Sequence, residues 1–90
     1  MKRVNMIASG SVQGVGFRAY VQKIAQDRHI AGWVRNLADG TVEIEAEGPD
    51  DLLNRFIESI RSSKTIFINV HSLQVRDISV TNEQGFTIRR

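Results

Sequence analysis

The chain of 90 residues contains no cysteine. That removes disulfides, thiolate zinc sites and a cysteine nucleophile together, and it fits a reducing compartment such as the cytoplasm. It has one proline and neither a low-complexity stretch nor a repeat, so nothing marks a linker, and residues 1–90 are expected to form one domain. No run approaches the ~18 apolar residues of a membrane span. The apolar stretch after Lys2-Arg3 is broken by Asn5 and again by Ser9-Gly10-Ser11, before it reaches signal-peptide length. An excess of one charge is missing too. Twelve Lys and Arg against ten Asp and Glu leave +2, mixed along the chain, too little to supply a strong field for nucleic acid. What remains, 41% hydrophobic and 24% charged residues, is the composition of a soluble globular chain. A monomer is expected, because no obvious apolar patch stands out.

Hydrophobic periodicity divides the chain into elements. Val4, Met6, Ala8 and Val12 alternate with Arg3, Asn5, Ser9 and Ser11, a strand pattern blurred by Ile7. Phe17, Tyr20, Val21, Ile24 and Ala25 then fall on one helical stripe that runs to about Arg28. Gly32 to Leu37 reads as a short strand, Asp39-Gly40 as a hairpin turn, and Thr41 to Glu47 as a strand with Val42, Ile44 and Ala46 on one side and three glutamates on the other. Pro49 suits a first helical position, and Asp50 and Asp51 favour the positive end of a helix whose stripe is Leu53, Phe56, Ile57 and Ile60. Two strands follow, about Val70–Val80 and Phe86–Arg89. The apolar phase changes between Val75 and Ile78, which predicts a bulge or a strand end. The order β-α-β-β-α-β predicts an α+β, ferredoxin-like sandwich: an antiparallel sheet with two helices on one face and the glutamate face in water.

The segment with chemical content is Gly10-Ser11-Val12-Gln13-Gly14-Val15-Gly16-Phe17-Arg18, where the first strand meets the first helix. Glycines there let backbone N–H groups converge beside a helix N-terminus, which favours an anion, and Arg18 adds a planar cation that can hold two phosphate oxygens. Amides plus one arginine make a cradle for a single phosphoryl group. The nucleotide P-loop is excluded because no Lys-Ser/Thr follows. The dinucleotide fingerprint fails at Ala19, and no parallel β-α-β unit surrounds it. The faint echo of an RNA-binding octamer in Gly14-Val15-Gly16-Phe17 enters a helix, whereas that octamer must lie on a strand. By itself the segment is also compatible with a plain tight turn and an exposed arginine.

Gly32-Trp33-Val34-Arg35-Asn36, followed by Asp39-Gly40, Val42 and Gly48, supplies a second motif. With Gly10-x-Val12-Gln13-Gly14-Val15-x-Phe17-Arg18 it resembles the two signatures of the acylphosphatases, and the resemblance covers the whole chain. It implies hydrolysis of small-molecule acyl phosphates to a carboxylate and inorganic phosphate, with no metal, cofactor, nucleic acid or membrane partner. Inorganic phosphate or sulfate would bind as product or inhibitor. By the same resemblance the backbone of Gln13, Gly14, Val15, Gly16, Phe17 and Arg18 binds phosphate, Arg18 is catalytic, and Asn36 orients the attacking water. The alternative is a non-catalytic phosphate- or RNA-binding module of the same fold.

Other residues are given plain structural roles. Trp33 and Phe17 are assigned to the core, Arg35 to a solvated face, and Glu43, Glu45 and Glu47 to a solubilising face rather than a metal site. His29 stands where the resemblance leads one to expect glycine, at a helix end that often needs positive φ, so a small stability cost is expected there. Ala8 is smaller than the aliphatic residue usual in the family, and His71 is expected on a strand surface. Ser62–Asn69, with Ile66-Phe67-Ile68, departs from the family pattern and is expected to rim the site.

Overall fold

The computed structural model describes residues 1–90. In chain order the elements are β1 (Lys2–Ser11), α1 (Phe17–Asp27), β2 (Ala31–Asn36), β3 (Val42–Gly48), α2 (Asp50–Arg61), β4 (Asn69–Ile78) and β5 (Phe86–Ile88). They build one sheet in the order β4-β1-β3-β2-β5. Four strands pair antiparallel, as expected, but β5 pairs parallel to β2, so the sheet is mixed. A three-residue strand at the edge carries no signal of its pairing direction, which is set by where the preceding loop delivers it.

Alternation explains the main core. Val4, Met6 and Ala8 of β1 and Val42, Ile44 and Ala46 of β3 are fully buried, on the face that receives Val21 and Ala25 of α1 and Leu53, Phe56 and Ile60 of α2. A fully buried side chain of this size contributes about 1.5–3 kcal/mol, so one contiguous cluster is the main source of stability. Ala8 fits this layer without exposure.

The apolar phase change near the end of β4 has a simple cause. Pairing with β1 continues without slip from Ser72 to Ile78, where the strand stops; Val75 lies opposite Met6 and Ile78 opposite Arg3, on alternate faces. The register shift lies elsewhere, between Ser9 and Gly10.

The glutamate face departs from expectation. It is not left to water: residues 79–85 fold back across it. Arg3 is 3% exposed and Glu47 1%. The Arg3 guanidinium donates to Glu45 (2.9 Å), Glu47 (3.2 Å) and Glu83 (2.8 Å), and to the Thr81 hydroxyl (3.0 Å). Thr81 N–H donates to Glu47 at 2.8 Å. Trp33 is also buried, but on this same outer face, between the guanidinium groups of Arg35 (5.4 Å) and Arg89 (4.5 Å) rather than in the main core. Arg35 is exposed, as expected, and pairs with Glu43 at 2.7 Å.

The end of α1 is a Schellman cap. His29 N–H donates to the Gln26 carbonyl (3.3 Å) and Ile30 N–H to the Ala25 carbonyl (2.9 Å), with His29 at φ 56°. A side chain in that conformation costs energy that glycine avoids. His29→Gly is therefore expected to raise stability by about 0.5–1 kcal/mol, the gain being limited by glycine's freer unfolded state. Urea denaturation measures it, and a loss of stability would contradict the strain.

Candidate active site

Past the end of β1, Val12 turns into the core and the chain crosses Gln13–Gly16 before α1 begins at Phe17. Gly14 (φ 73°) and Gly16 (φ 82°) both adopt left-handed backbone, which a side chain would strain although a Cβ there would touch nothing within 4 Å. Backbone angle, not crowding, is what demands glycine at these positions. The first helical bond runs from Tyr20 N–H to the Gly16 carbonyl at 3.0 Å, and no N–H from Gln13 to Ala19 donates to a protein acceptor. The helix start carries no side-chain cap. A row of free donors thus meets the positive end of a helix dipole.

The side chains of this segment anchor it. Phe17 is buried in the core and Val15 packs against it. Gln13 turns its amide away from the loop, donating to the carbonyls of Leu37 and Thr41, each at 2.8 Å. The loop is thereby clipped to the β2–β3 hairpin, a role for Gln13 that its place in the motif does not disclose.

Arg18 lies in the first turn of α1. Its guanidinium makes no ion pair and only a long 3.5 Å contact to the Arg89 carbonyl, so its charge is uncommitted. Asn36 ends β2 on the same face as the buried Val34, opposite Val42. Its Oδ1 is buried and has no hydrogen-bond partner, an arrangement that leaves an acceptor waiting for a donor.

These groups share one cleft of about 310 Å³. Gly14, Gly16, Phe17, Arg18 and Asn36 line it, whereas Gln13 and Val15 of the same segment are not among the lining residues. Val12, Ala19, Ile88 and Arg90 complete the lining, and no acidic residue is among them. Ile88 and Arg90 escaped the sequence reading because only the parallel docking of β5 on β2 brings them here. Residues 62–69 do not line the cleft, contrary to expectation. Ile68 is buried, while Ile66 and Phe67 point into solvent and Ser63 bonds the Tyr20 hydroxyl at 3.0 Å. A larger hollow of about 750 Å³ lies between the end of α1 and α2, but it is open and lined by charges of both signs.

Perturbed ionisations lie outside the cleft. Burial opposes charge on Glu43 and Glu47, but hydrogen bonds outweigh it and hold both carboxyls below the usual range, from Asn5 and Arg35 for Glu43 and from Thr81 and Arg3 for Glu47. No group of three or more His, Asp or Glu side chains is arranged to hold a metal. His29 and His71 are exposed and not in the cleft.

A family model described as acylphosphatase matches residues 4–88. The chain belongs to the acylphosphatase family. An acylphosphatase of Methanospirillum hungatei is 57% identical over 90 residues, spanning 100% of this chain and 99% of the relative. One from Pediococcus pentosaceus is 46% identical, spanning 99% of each. The crystal structure of acylphosphatase from Bacillus subtilis covers 100% of both chains with a TM-score of 0.94 at 41% identity. The family resemblance and the ferredoxin-like α+β fold expected from the sequence are both upheld. Membership makes this an enzyme of the acylphosphatase type, whose substrates are small-molecule acyl phosphates. No helix of this acylphosphatase is long and apolar enough to cross a membrane.

Proposed function

We propose that the enzyme cleaves the phosphorus–oxygen bond of an acyl phosphate by direct attack of water, with the phosphoryl group held by the N–H groups of residues 13–18 and by Arg18. Water forms a bond to phosphorus as the bond to the acyl oxygen breaks. The electron pair leaves with the carboxylate, and the water proton passes to a phosphate oxygen. Phosphoryl transfer has a loose transition state, so positioning and charge stabilisation do most of the work. The conjugate acid of the leaving group has a pKa near 4, so it departs without a proton donor. That accounts for a site without His, Asp or Glu.

The roles follow from what each group offers. Free backbone donors and the planar Arg18 fork are the groups that phosphate oxygens accept from. Asn36 Oδ1 accepts one hydrogen of the water and so turns a lone pair toward phosphorus. The single observation that carries this proposal is the meeting, in one acid-free cleft, of free N–H donors, the unpaired Arg18 charge and the unpartnered Asn36 oxygen. It further takes the protein to act as a metal-independent monomer in the cytoplasm, with residues 1–90 working as one domain.

The test is turnover of benzoyl phosphate by purified protein in excess chelator. Hydrolysis well above background, unchanged by the chelator and inhibited competitively by inorganic phosphate, is the expected result. Absence of turnover together with tight, steeply salt-dependent RNA binding would instead establish a binding module.

A further inference from the structure

The cleft contains more than the transferred group requires. Even at the roughly 30 Å³ per heavy atom that a water takes in the liquid, the five heavy atoms of a phosphate fill no more than about half of it. The remaining space belongs to the acyl part, and four lining residues have no role in holding phosphate or water: Val12, Ala19, Ile88 and Arg90, of which only Arg90 has a polar side chain.

Arg90 is not there by loose drift of the chain. The residue before it is fixed twice. Arg89 N–H donates to the Val34 carbonyl at 2.8 Å, and its guanidinium lies 4.5 Å over the Trp33 ring on the far face of the sheet. The Arg89 carbonyl also receives the contact from Arg18. With residue 89 held, Arg90 lines the cleft, and its side chain takes part in no ion pair or hydrogen bond of its own. With Arg18 it gives the cleft two cationic side chains and no acidic one. One satisfies the phosphoryl group. The second pairs with no acidic side chain.

We propose that Arg90 is a specificity residue that binds a negative charge on the acyl portion, so that acyl phosphates carrying a second carboxylate or phosphate are preferred over neutral ones. The proposal rests on the cleft being the acyl phosphate site. Ile88 supplies the apolar wall along which the acyl body lies, and Arg90 the ion at its far end. Because Arg90 is exposed, its contribution stays at the upper end of surface ion pairs and is screened by salt.

The experiment compares benzoyl phosphate with 3- and 4-carboxybenzoyl phosphate, whose rigid rings keep the carboxylate from attacking its own anhydride. In Arg90→Gln, kcat/KM for a carboxylated substrate should fall about fivefold, mostly through KM, while benzoyl phosphate stays within about twofold. Arg90→Lys should keep most of the preference, and raising the ionic strength should erode it in the unaltered enzyme and in Arg90→Lys but not in Arg90→Gln. Equal losses on neutral and carboxylated substrates would place Arg90 on the phosphoryl group and overturn the proposal, as would no loss on either. Failure of the unaltered protein to hydrolyse any of the three would overturn the site assignment itself, and this proposal with it.

Discussion

Arg18→Ala is expected to lower kcat/KM for benzoyl phosphate by at least about 100-fold, the typical cost of removing one preorganised charge from a site where charge develops. The guanidinium has no acidic partner and one long contact to a carbonyl, so its removal should leave folding within about 0.5 kcal/mol of the parent. Inorganic phosphate should also inhibit the variant more weakly. Arg18→Lys restores a charge but not the planar fork, and is expected to recover only part of the loss. Asn36→Ala gives the contrast: kcat falls while phosphate inhibition persists, because the amide contacts the nucleophile rather than the phosphoryl oxygens. Steady-state kinetics with phosphate as inhibitor separates the two. Equal loss of phosphate affinity in both variants would contradict the division of roles.

Arg3→Met is expected to destabilise the fold by about 3–5 kcal/mol, the cost of removing one partner from a buried ion group. Against a total of roughly 5–15 kcal/mol that is a large share, and at ~4 °C per kcal/mol or more the melting temperature should drop by at least about 12 °C. Glu47, 1% exposed, would lose its buried counter-charge, and Glu45 and Glu83 would face it with nothing between. Replacing both Arg3 and Glu47 with methionine should cost less than the sum of the single changes, since no orphaned charge then remains on that pair. The pH dependence has a definite sign. The Glu47 carboxyl is held below its ordinary value of 4.5 in the fold, so its contribution is complete above that pH and lost as the pH falls through the lower folded value. The gap between parent and Arg3→Met should therefore narrow in acid. Urea titrations at neutral and acidic pH measure it, and a neutral-pH difference below about 0.5 kcal/mol would show that this cluster behaves like surface charge.

How much of this was legible beforehand depends on the range of the interactions. The strand of Val42, Ile44 and Ala46, the helix of Leu53, Phe56 and Ile60, and the glycine-rich turn before Phe17 are local patterns, and each appears where periodicity or turn chemistry puts it. Arg3 and Glu47 show the opposite case. Alternation correctly placed them on one face, but it cannot tell whether a segment some 35 residues further on will cover that face. Trp33 is the same case: it is buried, as an apolar residue on a short strand should be, but under the outer layer rather than in the main core. Arg18 and Asn36 were legible because both lie inside motifs. Arg90 was not, since nothing near it in sequence announces the parallel docking of a three-residue strand. Gln13 belongs to a motif, yet the direction of its side chain depends on carbonyls at 37 and 41.

The Gln13 clip has a consequence for how this scaffold tolerates change. One amide group spans the two carbonyls that close the Leu37–Thr41 turn, where Leu37 N–H also meets the Thr41 carbonyl at 2.9 Å. The donor side of the pocket and the strand bearing Asn36 are thus riveted together through a tight bend. Lengthening that bend by even one residue would pull the two carbonyls apart and let the halves of the pocket drift independently. Insertions that enlarge the protein should therefore be accepted in the 62–69 connection, remote from the rivet, and rejected between positions 37 and 41.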